Sequence, residues 1–317
     1  MKKIFLLFAV MLVVIPVKSQ LVVWTPDDIK LLTKQWTGER LPDGRPKVSD
    51  DLLKRLEKVT IEDAYTFLLR RGYECQFENF ASTHENGWLI IHPDKPMIGR
   101  VLTSQYMPMR FDFDDYLQEV GQKQDIRRVT NALPVNSLFE GDIYVADGYG
   151  RIADGGTLIG DNVARSIYNN SKQGVIFNGA VRSLEAIAEI EGFNGWIRGV
   201  DPSSIARMIC TSVNAPIRIG RVTVLPGDVV IARRSGVIFI PPHFVEEIVI
   251  QVELAELRRQ FTAQQQGRTA APANNTEFRD WLNRQTNLPM TKTALDAYFE
   301  KQAYEQANPQ PARSQRQ

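Results

Sequence analysis

The sequence predicts an α/β fold, and three observations predict it. Beyond Ile143, short apolar runs (Ile143-Tyr144-Val145-Ala146, Gly174-Val175-Ile176-Phe177) alternate with stretches whose apolar residues recur at helical spacing. Glycine-rich turns separate the two, the punctuation of strand–helix units. Apolar residues make up 43% of the 317 and charged residues 24%, enough for a sizeable core.

Residues 1–19 have the layout of a secretory leader: Met1-Lys2-Lys3, an apolar run from Ile4 to Val17, then Val17-Lys18-Ser19 before Gln20. The run is shorter than the ~20 residues that span a bilayer. The expectation is cleavage, no stable membrane anchor, and a periplasmic or extracellular product. Residues 20–59 read as an N-terminal helical segment. Thr25-Pro26-Asp27-Asp28 combines a cap, a first-turn proline and acids at the positive helix end, and Ser49-Asp50-Asp51 repeats the signal before Leu52, Leu53, Leu56 and Val59.

Residues 60–257 read as the main α/β domain. A helix from Ile61 to Leu69 stops at Gly72, and short strands broken by Pro93, Pro96 and Gly99 fill Trp88 to Thr103. Residues 104–137 are polar and mixed, an inserted helical excursion on the surface, with the acid-rich run Phe111–Asp115 near its start. After the strand at Ile143, a glycine-rich loop runs from Asp147 to Gly160, and a helix follows with Val163, Ala164, Ile167 and Tyr168 on one face. The strand at Gly174 leads through the turn Asn178 to Arg182 into a helix carrying Leu184, Ile187, Ala188 and Ile190, closed at Gly192. Ile217 to Leu225 alternates like one half-buried strand, and Pro226-Gly227-Asp228 turns into Val229 to Ala232. Gly236 to Ile240 is the last strand, and His243 to Leu257 an amphipathic closing helix. Residues 258–317 shift to Gln, Ala and Pro and read as a disordered linker with short helices around Phe278–Leu282 and Leu295–Tyr304.

Composition excludes several functions. Lys and Arg number 38 against 37 Asp and Glu, a net charge of +1, so no electrostatic footprint for nucleic acid exists. Cys75 and Cys210 are too few for a thiolate zinc cluster, and buried free thiols are favoured over a Cys75–Cys210 pair. His84, His92 and His243 are too scattered for a site. Gly148-Tyr149-Gly150-Arg151-Ile152-Ala153 mimics a dinucleotide fingerprint, but Asp154-Gly155-Gly156 stands where a helix must open. Trp196 and Arg198 suit a pocket wall or the core equally.

Two consecutive strand–helix junctions carry the chemistry. Gly155-Gly156-Thr157-Leu158-Ile159-Gly160-Asp161-Asn162 ends at a helix start, where free N–H groups and the helix dipole attract anions. Asn178-Gly179-Ala180-Val181-Arg182-Ser183 sets a guanidinium at the next helix start. Neighbouring strands bring such junctions to one sheet edge, where α/β folds bind ligands. The implied site clamps a small anion between Arg182 and the amides of residues 160–163.

Asp161, twenty intervening residues, then Arg182 resembles the D-x20-R-D motif of class II pyruvate aldolases, the 4-hydroxy-4-methyl-2-oxoglutarate aldolases akin to the regulator of ribonuclease activity A. The resemblance runs from Thr60 to Val249 through Glu62-Asp63-Ala64, Gly99-Arg100-Val101-Leu102-Thr103, Gly141-Asp142-Ile143 and Pro226-Gly227-Asp228-Val229. It implies a swivelling β/β/α domain, here with added N-terminal helices and a C-terminal tail, assembled as a homotrimer or dimer of trimers. It implies a lyase that releases pyruvate from 4-hydroxy-2-keto acids or decarboxylates oxaloacetate. Carried over, Gly160, Asp161, Asn162 and Val163 would cradle the carboxylate of a small 2-keto acid. Arg182 would bind and polarise it, and Asp161 would organise the water of Mg²⁺ or Mn²⁺. The family's metal-holding aspartate corresponds to Ser183. A hydroxyl is a weak ligand where Mg²⁺ takes carboxylates, whereas serine caps a helix as well as aspartate does. The remaining carboxylates for a cation are Asp161 with Glu185, Asp154 or an acid of a neighbouring subunit. The alternative to a lyase is therefore an anion-binding or assembly protein on the same scaffold. Ribonuclease control rests on the family name alone and sits badly with export.

Overall fold

Side-chain caps start the first helices where the sequence places them. In a computed structural model describing residues 22–81, 87–264 and 275–308, Thr25 accepts from the Asp28 amide at 3.2 Å ahead of α1 (Pro26–Leu32). Ser49 does the same for Leu52 at 3.3 Å ahead of α2 (Asp50–Arg55). Thr60 and Asp63 form a reciprocal capping box on α3 (Ile61–Arg70). The leader, His84 and residues 265–274 lie outside the described residues.

Strands β1 (Phe77–Glu78), β2 (Leu89–Ile90) and β3 (Met97–Pro108) precede α4 (Phe111–Gln122) and α5 (Ala132–Asn136). The α/β core follows as β4 (Asp142–Asp147), β5 (Thr157–Ile159), α6 (Asp161–Ser171), β6 (Val175–Asn178), β7 (Ala180–Val181), α7 (Leu184–Ala188), β8 (Gly195–Ile197) and β9 (Gly199–Val200). The chain continues through β10 (Met208–Val213), β11 (Ile217–Ile219), β12 (Val222–Val224), β13 (Val229–Arg233) and β14 (Gly236–Ile240). It closes with α8 (Val245–Gln264), α9 (Asn275–Arg284) and α10 (Lys292–Ala307).

The main sheet has the order β1-β14-β13-β3-β4-β6-β8-β2, with β10 paired to the distal half of β3. Its centre, β3-β4-β6-β8, is parallel, and β3-β13-β14 is antiparallel. This is the mixed α/β architecture expected. A second parallel sheet, β5-β7-β9, continues the chain beyond the ends of β4, β6 and β8.

Four expectations need correction. β3 runs unbroken through Gly99 and on to Pro108, because Gly99 is a packing glycine rather than a breaker. A Cβ there would stand 2.6 Å from the Gly141 carbonyl. The segment 104–137 is no surface excursion, since Tyr106, Leu117, Val120 and Val129 are buried in the core with Phe177 and Ile167. Ile217 to Leu225 is a two-stranded hairpin, β11–β12, turning at Gly220 with φ +57°. Past Arg258, α8 stays helical to Gln264, and α9 and α10 pack on it through Phe261, Phe278, Leu282 and Leu295. Each such buried side chain contributes ~1.5–3 kcal/mol. Lys301 and Gln302 of α10 and Arg71 after α3 converge on the buried Glu247 of α8.

Two further contacts tie the N-terminal segment down. Arg45, fully buried, reaches Asp142 and Asp43 at 2.7 Å each. Residues 22–24 lie along the end of β10. Val213 donates to Val22 at 2.7 Å, Trp24 donates to Val213 at 3.1 Å, and the Gln124 amide bonds Val22 and Val23. Both cysteines are free, but Cys75 is exposed rather than buried. Burial pushes the Cys210 thiol up to about 12.

Candidate functional site

The small sheet brings the two junctions side by side. β5 and β7 pair in parallel, Thr157 opposite Ala180 and Ile159 opposite Val181, and the Arg182 amide donates to the Ile159 carbonyl at 3.0 Å. One strand therefore ends at Gly160 and α6, and its neighbour at Arg182 and α7. The Arg182 side chain crosses Gly160 so closely that a Cβ on that glycine would stand 2.8 Å from Nε. Its guanidinium is exposed and has no hydrogen-bond or ion-pair partner among the described residues.

Gly160 occupies the cap position of α6 and offers no side chain, so the amides of Asp161, Asn162 and Val163 keep their outward hydrogens. Asp161 is thus the first residue of the helix and not its cap. Its half-buried carboxylate has no partner among the described residues. Ser183 stands at the cap position of α7, but its hydroxyl makes no capping bond, contrary to expectation. Its backbone is left-handed, φ +57° and ψ 44°, not the extended conformation from which a cap side chain reaches the next amides. Asp and Asn tolerate that conformation better than most residues.

Behind the junctions lies a polar brace that sequence reasoning missed. Buried Asp147, at the end of β4, accepts from Asn178 Nδ2 at 2.8 Å, Gln105 Nε2 at 3.0 Å and the Tyr149 amide at 2.9 Å. The Asn178 carbonyl in turn accepts the Gly148 and Gly150 amides at 3.0 Å each. The brace fixes the ends of β3, β4 and β6 and hangs the glycine loop from them. Only its place as the polar residue that closes the run Ile143-Tyr144-Val145-Ala146 marked Asp147 in the sequence.

Other candidates lie elsewhere. Trp196 is core, its Nε1 donating to the Arg233 carbonyl at 3.1 Å, and the guanidinium of Arg198 stacks 3.7 Å over Phe80. His92 bonds the Ala188 carbonyl at 3.1 Å and His243 packs on Phe244. Gly148 to Ala153 enters a loop, and no helix opens before Asp161.

The donor set does not fit the divalent cation that the family resemblance implies. No group of three or more His, Cys, Asp or Glu suited to a metal exists among the described residues. The two helix starts at the corner carry one carboxylate each, Asp161 on α6 and Glu185 on α7, beside the Ser183 hydroxyl. What the corner does offer is a row of amides and a free guanidinium, which bind a carboxylate.

Fold and junctions define an α/β protein in which consecutive strand ends place the open amides of α6 and the Arg182 guanidinium at one corner. The sequence profile of the RraA-like family (Aldolase/RraA) matches residues 47–239, and the chain belongs to that family. A Shewanella oneidensis protein named as a candidate 4-hydroxy-4-methyl-2-oxoglutarate aldolase is 34% identical over 105 residues, 30% of this chain and 62% of its own length. A Thermus thermophilus protein named 4-hydroxy-4-methyl-2-oxoglutarate aldolase is 26% identical over 140 residues, 43% of this chain and 84% of its own. The crystal structure of Streptomyces coelicolor RraAS2, described as an unusual member of the RNase ES inhibitor RraA family, superposes with TM-score 0.53 at 22% identity. It covers 69% of this chain and all of its own, and it shares the fold.

Proposed function

We propose that the chain recognises a small 2-keto acid at the corner between α6 and α7. The acid's carboxylate sits on the amides of Asp161, Asn162 and Val163 and on the Arg182 guanidinium. The observation that carries this reading is the unpartnered Arg182 lying across Gly160 at the uncapped start of α6. The names of the aldolase relatives support the ligand class.

The associated chemistry is that of a lyase: retro-aldol release of pyruvate from a 4-hydroxy-2-keto acid, or oxaloacetate decarboxylation. Either bond cleavage leaves an electron pair on an enolate, and Arg182 beside the carbonyl oxygen offsets its charge. A divalent cation would add Lewis-acid stabilisation of several kcal/mol. Ser183 stands where the resemblance places the anchoring carboxylate, so turnover is low and the binding function dominates. A second reading, a full Mg²⁺- or Mn²⁺-dependent lyase, is favoured by the unpartnered Asp161 carboxylate at the same corner.

Calorimetry and a pyruvate-release assay separate these. Arg182→Ala weakens pyruvate binding ~10-fold or more, as loss of a charge-assisted contact requires. Ser183→Asp raises Mn²⁺-dependent pyruvate release from oxaloacetate. Fast Mn²⁺-dependent turnover by the wild type, unchanged by Ser183→Asp, would instead establish the second reading.

The leader pattern supports export to the periplasm or medium, and N-terminal sequencing of the mature protein should begin at Gln20. Self-association as a trimer or dimer of trimers belongs to the same reading and is checked by sedimentation.

A further inference from the structure

The small sheet has a third strand end, and it carries a carboxylate. β9 pairs in parallel with β7, Ala180 opposite Gly199 and Val181 opposite Val200, and the Asp201 amide donates to the Val181 carbonyl at 3.1 Å. The next residues along β5, β7 and β9 are Gly160, Arg182 and Asp201, which therefore stand in a row across the sheet. Residues level with one another on neighbouring strands leave the sheet on the same face. Pro202 holds Asp201 in the extended conformation of the strand before it. Arg182 leans the other way, over Gly160, and no ion pair joins it to Asp201.

The half-buried Asp201 carboxylate is fixed on one side only. Its Oδ1 accepts the Ser203 amide at 3.0 Å and the Ser203 hydroxyl. Ser203 is itself seated at the start of β5, where its hydroxyl accepts the Gly155 amide at 2.8 Å and its carbonyl accepts the Thr157 hydroxyl. Oδ2 has no partner among the described residues. The bonds from Ser203 hold the Asp201 carboxyl below the usual carboxylate range, which keeps it ionised at neutral pH.

Two strand spacings, ~10 Å, separate Gly160 from Asp201. A ligand carboxylate on the α6 amides takes one hydrogen bond of ~2.9 Å and a ligand hydroxyl at Oδ2 another of ~2.7 Å. A four-carbon keto-acid backbone fills the distance between, with Arg182 in the middle of the row beside the 2-keto oxygen. Asp161 stands at the far end, at the start of α6 and next to the ligand's carboxylate.

We propose that Asp201 is the proton acceptor of this corner: it takes the 4-hydroxyl proton of a 4-hydroxy-2-keto acid and so starts the retro-aldol cleavage. The inference rests on the lyase reading above and names a catalytic group for it. The proton moves to Oδ2, the C4–O bond becomes a carbonyl, the C3–C4 bond breaks, and its electron pair forms the enolate beside Arg182. Water then protonates C3 to give pyruvate, and Asp201 returns its proton to the hydroxide left behind. Decarboxylation of oxaloacetate breaks the corresponding bond but has no hydroxyl proton to lose.

The test measures pyruvate release by the full mature chain, above the uncatalysed rates, from 4-hydroxy-4-methyl-2-oxoglutarate and from oxaloacetate. Asp201→Asn keeps an acceptor for Ser203 and should lower the ratio of retro-aldol to decarboxylation rate ~100-fold or more, as loss of a positioned base requires. Asp201→Glu should restore part of that ratio. A ratio that Asp201→Asn leaves unchanged, or that Asp161→Asn lowers instead, overturns the assignment. An equal loss of both rates in Asp201→Asn overturns it too, as the mark of a structural role. Pyruvate release from neither acid by the wild type removes the lyase reading and this role together, whereas release from oxaloacetate alone removes only this role.

Discussion

At Gly160 the backbone φ is −117°, open to any residue, yet a Cβ there would stand 2.8 Å from Arg182 Nε. The obstructed group is the far end of a flexible, exposed side chain, so it yields. Gly160→Ala should accordingly change stability by no more than ~1 kcal/mol, while pyruvate affinity falls several-fold because the guanidinium is pushed off the amides. Thermal melts and calorimetry on one sample read both. Asp228, in the turn before β13, offers a second residue-scale prediction. Burial pushes its carboxyl up to about 7, opposed only by the hydrogen bond it accepts from the Leu225 amide. The folded pKa lies above the ordinary 3.8, so the protonated form's contribution to stability is full below 3.8 and is lost as pH rises through about 7. Asp228→Asn keeps the acceptor and removes the titration. The variant should be more stable than the wild type at about pH 8, by something on the order of a few kcal/mol, with the gap narrowing toward about pH 4. Urea denaturation across that range measures it.

Among elements, the capped helices were the most legible, because α1, α2 and α3 declare their starts through one hydroxyl and nearby acids. The helices α6 and α7 were legible through apolar spacing. The β11–β12 hairpin was not, since inward residues alternate on both arms and Gly220 alone marks the reversal. The C-terminal helices were read as short pieces in a linker because Gln and Ala dominate there, although both are good helix formers. Their docking depends on tertiary partners no local pattern reveals. Glu247 is the centre of that docking, with Arg71, Lys301 and Gln302 around it. Glu247→Ala leaves Arg71 paired with Glu305 alone and removes the acceptor shared by Lys301 and Gln302, and should destabilise the chain by ~2 kcal/mol. Protease should then cut α10 first in limited digestion.

For the molecule as a whole, the two junctions of the candidate site were legible because both are local and consecutive: a strand end, a glycine, a helix start. Their contact follows once β5 and β7 pair. The brace of Gln105, Asp147 and Asn178 was illegible, because three strands far apart in the chain supply it. So was the clasp by which Gln124 and Val213 hold residues 22–24. That clasp has a practical consequence. Val22 fills the core with no exposed surface, so an expression plasmid whose reading frame starts at Pro26 would leave a hole in the interior and bare peptide groups on Val213. Such a product should scatter light and elute in the void of a sizing column, and purification handles belong upstream of Val22 with a spacer rather than in its place.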